Sequence, residues 1–125
     1  MSLKETLNKM LEKKDKESVE KFVSSLTNYF PPSDDVSITV LKKGNHEYVI
    51  DRRGMFVVSI SQDEYLPFMS ASEKRVTSVP KDVMDKIISS WKDILVELVK
   101  LLEEYVKKYP SLSAKLNEVK EVVNQ

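Results

Sequence analysis

The chain of 125 residues contains no cysteine and only one histidine. The lack of thiols excludes disulfide frameworks, thiolate metal sites and cysteine nucleophiles, and one histidine excludes most histidine-rich metal sites. His46 is followed by Glu47. Neighbouring residues of a strand point to opposite faces, so these two side chains should diverge, with His46 at the edge of the sheet opposite Ile60. We predict a solvated or hydrogen-bonded His46, with no metal ion, no cofactor and no catalytic residue.

Glycine is almost as scarce, since only Gly44 and Gly54 are present. A dinucleotide-binding loop needs three glycines at fixed spacing, and a P-loop needs two that are five residues apart and followed by lysine. Gly44 and Gly54 are ten apart, and neither flanks a serine in a nucleophile elbow. The sequence therefore excludes these nucleotide-binding and hydrolase motifs, and no motif indicates an enzyme class.

An excess of charge and a long apolar run are also missing. The 20 basic residues balance the 20 acidic ones, so no field of one sign attracts nucleic acid or acidic lipid. No run of about 18 apolar residues occurs, so we expect a cytoplasmic protein without a membrane segment. Seventeen lysines and twelve glutamates stand against two glutamines, a bias typical of hot-living organisms or of a lysine-rich mesophile. The length fits one domain over residues 1–125.

The N-terminal part of the sequence, over about residues 2–30, has the pattern of a helical region. Ser2 is a suitable cap for its first helix. Two apolar stripes are separated by the polar stretch from Glu12 to Ser18. One long helix could cross this stretch, or two helices could meet near Lys14 and Asp15, and we favour the break.

Residues 36–61 have the alternation of three antiparallel strands. Three-residue loops at Lys43–Asn45 and Arg52–Gly54 would align the three strands so that eight apolar residues share one face of the sheet. That face would contain Val36, Ile38, Val40, Tyr48, Ile50, Phe56, Val58 and Ile60. Residues 62–79 are less regular and could form a short fourth strand near Arg75 to Val79 or an ordered loop.

In the C-terminal region, apolar residues recur at helical spacing. This pattern predicts a long helix over about 80–109 and a short last helix over about 111–123. The predicted fold class is α+β, with the three-stranded meander packed on one face by the N-terminal helices and the long helix. A 30-residue helix would measure about 45 Å, which exceeds the roughly 36 Å diameter of a compact domain of this size. Either the last helix folds back over its end or a second chain covers it. We expect a homodimer, with an interface formed by Trp91, Leu98, Leu102, Tyr105 and Tyr109.

Three further groups could contact ligands. The pairs Arg52–Arg53 and Lys42–Lys43 could hold an anion, but they lie at opposite ends of the meander and are expected to be solvated hairpin tips. Asp34–Asp35 is expected to form a turn. An irregular apolar segment could close the core or act as a lid over an apolar pocket. It contains Tyr65, Leu66, Phe68 and Met69.

These observations favour a non-catalytic protein–protein interaction or assembly protein that acts as a homodimer through its long helix. The alternative is a carrier of a small apolar ligand, bound between sheet and long helix. A third possibility is a nucleic-acid-binding regulator that uses one of the N-terminal helices, although the balanced charge disfavours nucleic acid.

Overall fold

A computed structural model describes residues 2–62 and 69–124 of the chain; for residues 60–62 and 69–72 we consider the backbone alone. The fold is α+β with an antiparallel sheet, as predicted. The elements in chain order are α1 (Leu3–Lys13), α2 (Lys16–Thr27), β1 (Ile38–Lys43), β2 (His46–Asp51), β3 (Gly54–Gln62), β4 (Met69–Arg75), α3 (Lys81–Tyr105), a 3₁₀ turn (Pro110–Leu112) and α4 (Ser113–Val123).

The N-terminal region consists of two helices, which confirms the predicted break. The Ser2 side chain accepts a hydrogen bond from the backbone of Glu5 at the start of α1. Lys14 adopts a left-handed conformation with φ 51° and ends this helix. Asp15 then caps α2, because its carboxylate accepts from the Ser18 N–H while the Ser18 hydroxyl accepts from the Asp15 N–H. The polar stretch in the sequence is therefore a pair of helix ends whose backbone groups are satisfied by side chains.

The sheet has four strands in the order β1-β2-β3-β4, so the three-stranded prediction is corrected. The added strand β4 pairs with β3 and ends at Arg75, whereas one of the two sequence-based alternatives placed a fourth strand over Arg75 to Val79. Its sequence, MSASEKR, shows no apolar alternation. An edge strand is held by backbone hydrogen bonds to one neighbour, and this pairing leaves no periodic signal in the side chains.

Both hairpin registers differ from the predicted ones. Each loop has two residues instead of three, because Lys43 pairs with His46 and Asp51 pairs with Gly54. In the first hairpin, Ile38 still pairs with Ile50, since an irregularity between Thr39 and Leu41 compensates for the shorter loop.

The second hairpin has no such compensation, so β3 is shifted by one residue. Ile50 pairs with Met55 and not with Phe56. Met55 is consequently 3% exposed in the core, while Phe56 and Val58 lie on the opposite face of the sheet. The shift agrees with the rule that a slip of one residue exchanges the two faces of a strand.

The helices form two layers above one face of the sheet. Helices α2 and α3 contact the strands, α1 packs on α2, α4 packs on α3, and α1 also touches α4. The core joins Ile38, Val40, Ile50 and Met55 of the sheet to buried residues from all four helices. Among the described helices, none has a stretch apolar and long enough to cross a bilayer.

Helix α3 is shorter than predicted and is not straight. Its 25 residues end at Tyr105 and would measure about 37 Å if straight. Ser90, with φ −120° and ψ 20°, interrupts the helix. After the 3₁₀ turn, α4 returns along α3 and packs against it. The last helix of the chain thus covers apolar surface near the C-terminal end of α3. The length of α3 therefore does not require a second chain, and only its exposed surface is open to a partner.

Candidate protein interaction surface

The five residues of the predicted interface separate into two groups. Leu98 and Leu102 are 0% exposed and have no surface left for a partner in this fold. Trp91, Tyr105 and Tyr109 are half-buried and pack against the core. The apolar stripe predicted from the sequence is therefore mainly the side of α3 that packs in the core of the same chain.

The predicted lid falls almost entirely outside the described residues. Tyr65, Leu66 and Phe68 lie in the stretch between 62 and 69, and of Met69 only the backbone in β4 is considered. A cleft does exist between β1 and α3, with a volume of about 130 Å³. It is open, and Lys86, Asp93 and Glu97 border its apolar floor. Its charged rim suits an apolar ligand poorly.

The N-terminal helices present lysines together with acidic residues. Lys9, Lys13 and Lys21 surround a small cleft of about 30 Å³ that Asp15 and Glu17 also line. The Lys21 ammonium lies 3.0 Å from the Glu17 carboxylate. This mixture of signs provides little attraction for a phosphate backbone.

His46 is an exposed residue with a local hydrogen-bond partner. Its Nδ1 lies 2.8 Å from the Ser59 hydroxyl. Ser59, not Ile60, is its cross-strand neighbour, as the shifted register requires. Glu47 accepts a hydrogen bond from Thr39 on the other face, so His46 and Glu47 diverge as predicted. Within residues 2–62 and 69–124, no three side chains of histidine, aspartate or glutamate form a group suited to a metal ion.

The Arg52–Arg53 loop is engaged in ion pairs and is not a free anion site. The Arg52 Nε lies 2.7 Å from Asp34 Oδ1, and this hydrogen bond lowers the pKa of Asp34. The Arg53 Nη2 contacts both Asp51 at 2.8 Å and Glu73 at 3.0 Å. Its guanidinium also lies 4.6 Å from the ring centroid of Phe56. Arg52 and Arg53 form an exposed hairpin tip, as predicted, and their ion pairs join it to Asp34 in the segment before β1.

Asp51 is the buried centre of this network and supports a stability prediction. It is 3% exposed and accepts from the Arg53 backbone N–H at 2.8 Å as well as from the guanidinium. We expect Asp51→Ala to lower the free energy of unfolding by about 1–3 kcal/mol, because the buried carboxylate accepts charge-assisted hydrogen bonds from both the part-buried Arg53 N–H and the Arg53 guanidinium, and the variant loses all of them. The measurement is urea denaturation.

Asp34→Ala is the matched control for this prediction. Its partner Arg52 and Asp34 itself are both largely exposed, with 43% and 56% of their side-chain surfaces accessible, so water replaces the lost contact and the effect should be much smaller. Equal losses for the two variants would show that Asp51 has no special structural role.

An apolar groove lies between α3 and α4. It is lined by Val96, Val99, Lys120, Val123 and Asn124, is open to solvent and has a volume of about 270 Å³. We call it the valine groove. Its three valines are half-buried. They lie beside the buried stripe and form an apolar strip that the two helices leave uncovered.

Two exposed charged residues stand at either end of the α3 side of this groove. Lys92 precedes Val96 by four residues, and Glu103 follows Val99 by four. Glu103 lies 3.8 Å from the Lys120 ammonium of α4. Lys92 has no ion pair within the described part of the chain. The α3 side of the groove is thus a lysine, two valines and a glutamate along one helix face.

Val96 and Val99 could not be predicted from the strongest apolar stripe of α3, because they lie outside it. The available signal was their spacing of three together with the flanking charges. Comparisons with models of protein families, with curated proteins and with solved structures found no match to this chain. Inferences about its function therefore depend on the geometry of its own residues.

Proposed function

We propose that this protein is a non-catalytic protein–protein interaction or assembly protein that acts as a homodimer through α3 and α4. The observation that carries the proposal is the valine groove, an apolar strip on the rim of two packed helices. Full burial of a fully exposed valine side chain contributes about 1.5 kcal/mol or more, and a half-buried valine contributes roughly half of this. A partner that covers Val96, Val99 and Val123 would therefore gain free energy from a surface that the chain itself leaves half-exposed.

A second copy is the partner that the charges favour. The formal net charge is zero, so two copies approach without long-range repulsion. The groove also lies on helices whose inner faces are anchored in the core by Leu98, Leu102 and Val119, each 0% exposed. Such a rigid surface binds with little loss of conformational entropy.

The carrier alternative ranks second because the cleft between β1 and α3 is open and bordered by charges. A nucleic-acid-binding role ranks third because the lysines of α1 and α2 are interspersed with carboxylates. Neither alternative has a described surface as uniformly apolar as the valine groove.

Solution mass tests the homodimer. We expect a concentration-dependent species of twice the 14.4 kDa of one chain in analytical ultracentrifugation at about 50 µM, a concentration suited to a micromolar dissociation constant. Val99→Asp should shift the protein to the monomer, because it places a charge in the apolar contact.

Val76→Asp is the matched control, since Val76 is also a half-buried valine but follows β4, beside Arg53 and Arg75 and away from the valine groove. It should leave the dimer unchanged. A wild-type protein that stays monomeric under these conditions, or a dimer that Val76→Asp disrupts and Val99→Asp does not, would overturn the proposal.

A further inference from the structure

We infer that two copies pack α3 against α3 in antiparallel orientation about a twofold axis that passes between Val96 and Val99. This inference rests on the proposed homodimer and specifies how it is formed. It follows from four positions on one helix face, Lys92, Val96, Val99 and Glu103.

These four residues share one side of a continuous helical segment. Their spacings of four, three and four residues place them within about 60° of one another at 100° per residue. The interruption at Ser90 precedes all of them, so it does not disturb their alignment. Lys92 and Glu103 are exposed and the two valines are half-buried. The face thus has an apolar centre and charged ends of opposite sign.

Such a face is complementary to itself in only one orientation. In an antiparallel pair, residues at equal distances on either side of the axis meet each other. Val96 then contacts Val99 of the partner subunit, and Lys92 contacts Glu103 of the partner subunit. Because of the twofold symmetry, each contact occurs twice. A parallel pair in register would oppose lysine to lysine and glutamate to glutamate, so the charges select the antiparallel arrangement.

The neighbouring helix reinforces this arrangement. Val123 extends the apolar strip from α4, and Lys120 already contacts the Glu103 carboxylate at 3.8 Å. A carboxylate has two oxygens and can accept from two ammonium groups, so Glu103 can bind Lys120 and Lys92 of the partner subunit together. Lys100, on the adjacent side of α3, pairs with Glu97 at 3.3 Å.

Charge-reversal variants test the arrangement. K92E and E103K should each weaken the homodimer by about tenfold or more, because both symmetric ion pairs become repulsive. A mixture of the two variants should form a heterodimer preferentially. In it, the K92E subunit presents carboxylates at both ends of the face and the E103K subunit presents ammonium groups. Dissociation constants come from sedimentation velocity, and native mass spectrometry with one isotope-labelled subunit identifies the heterodimer.

E104K is the matched control. Glu104 neighbours Glu103 and is also exposed, but it points about 100° away around the helix. It undergoes the same change of charge and should leave the dimer unchanged. Far-UV circular dichroism of each variant verifies the fold.

The outcomes separate this inference from the proposed function. A monomeric wild-type protein would contradict the homodimer itself. A wild-type dimer that K92E and E103K do not weaken would leave the homodimer intact and overturn the antiparallel arrangement. Weakened single variants that fail to form the heterodimer would also overturn it, because the ion pairs would then not join position 92 to position 103.

Discussion

Leu98→Ala should lower the free energy of unfolding by about 2–5 kcal/mol, because it removes buried methyl groups and leaves a cavity that neighbouring elements fill only in part. Leu98 is 0% exposed and belongs to the core that joins the four helices to the sheet. Chemical denaturation of the wild-type and variant proteins at one protein concentration measures the difference.

Leu101→Ala is the control on the same helix. Leu101 is only half-buried, so its truncation should lower the free energy of unfolding clearly less than that of Leu98. This comparison also distinguishes the two roles considered for Leu98. If Leu98 contacted a partner, as the sequence alone suggests, its truncation would weaken the dimer and leave the stability of the monomer almost unchanged. That result would contradict the fold described above.

Tyr29 should make stability depend on pH in the alkaline range. Its hydroxyl donates a hydrogen bond to Glu118 Oε1 at 2.6 Å, which ties the end of α2 to α4. Burial first, and then the hydrogen bond to the Glu118 carboxylate and the negative charge of this group, raise the pKa of Tyr29 from 10.0 to about 12. The folded state therefore holds the phenolic proton more tightly than the unfolded state does.

The direction of the effect follows from this difference. The stabilisation is fully present below pH 10, where both states are protonated, and it is lost as the pH rises through about 12. Because solvent screens the partly accessible hydroxyl, we expect the loss over this interval to be about 1 kcal/mol. Tyr29→Phe cannot ionise, so the difference in unfolding free energy between wild type and variant should diminish over this interval.

Urea denaturation of both proteins from about pH 8 upward measures this difference, and the subtraction removes the contribution of lysines common to both. Ultraviolet titration provides a second measurement, because Tyr29→Phe should remove the component that ionises near pH 12. A constant difference between the two proteins across the alkaline range would show that Glu118 and burial do not hold the Tyr29 proton.

The helices could be predicted closely because their signals are local. Ser2, Asp15 and Ser18 are helix-capping residue types at capping positions, and the break between α1 and α2 follows from them. The strand registers could not be predicted in the same way. Two-residue and three-residue hairpin loops differ by one residue, and Phe56 is as apolar as Met55. The burial of Asp51 and its bonds to Arg53 come with the shorter loop, and alternation alone does not reveal them.

The candidate surface was predictable only in part. The sequence indicated α3 as the element with apolar surface, but it selected Leu98 and Leu102, which the chain buries itself. Periodicity identifies the most apolar side of a helix, and that side is normally the one that faces the core. Val96 and Val99 lie beside it, and their exposure depends on where α4 packs.

By itself, the sequence determined the α+β class, the order of the helices and most strands, and the absence of cysteine chemistry and glycine-rich nucleotide motifs. These features depend on composition and on residues close together in the chain. Only the tertiary structure decided the register of β3, the pairing of Asp34 with Arg52, the burial of Leu98 and the exposure of the valine groove. Each of these depends on contacts between segments far apart in the chain, whose relative positions follow from packing of the whole core and leave no local pattern.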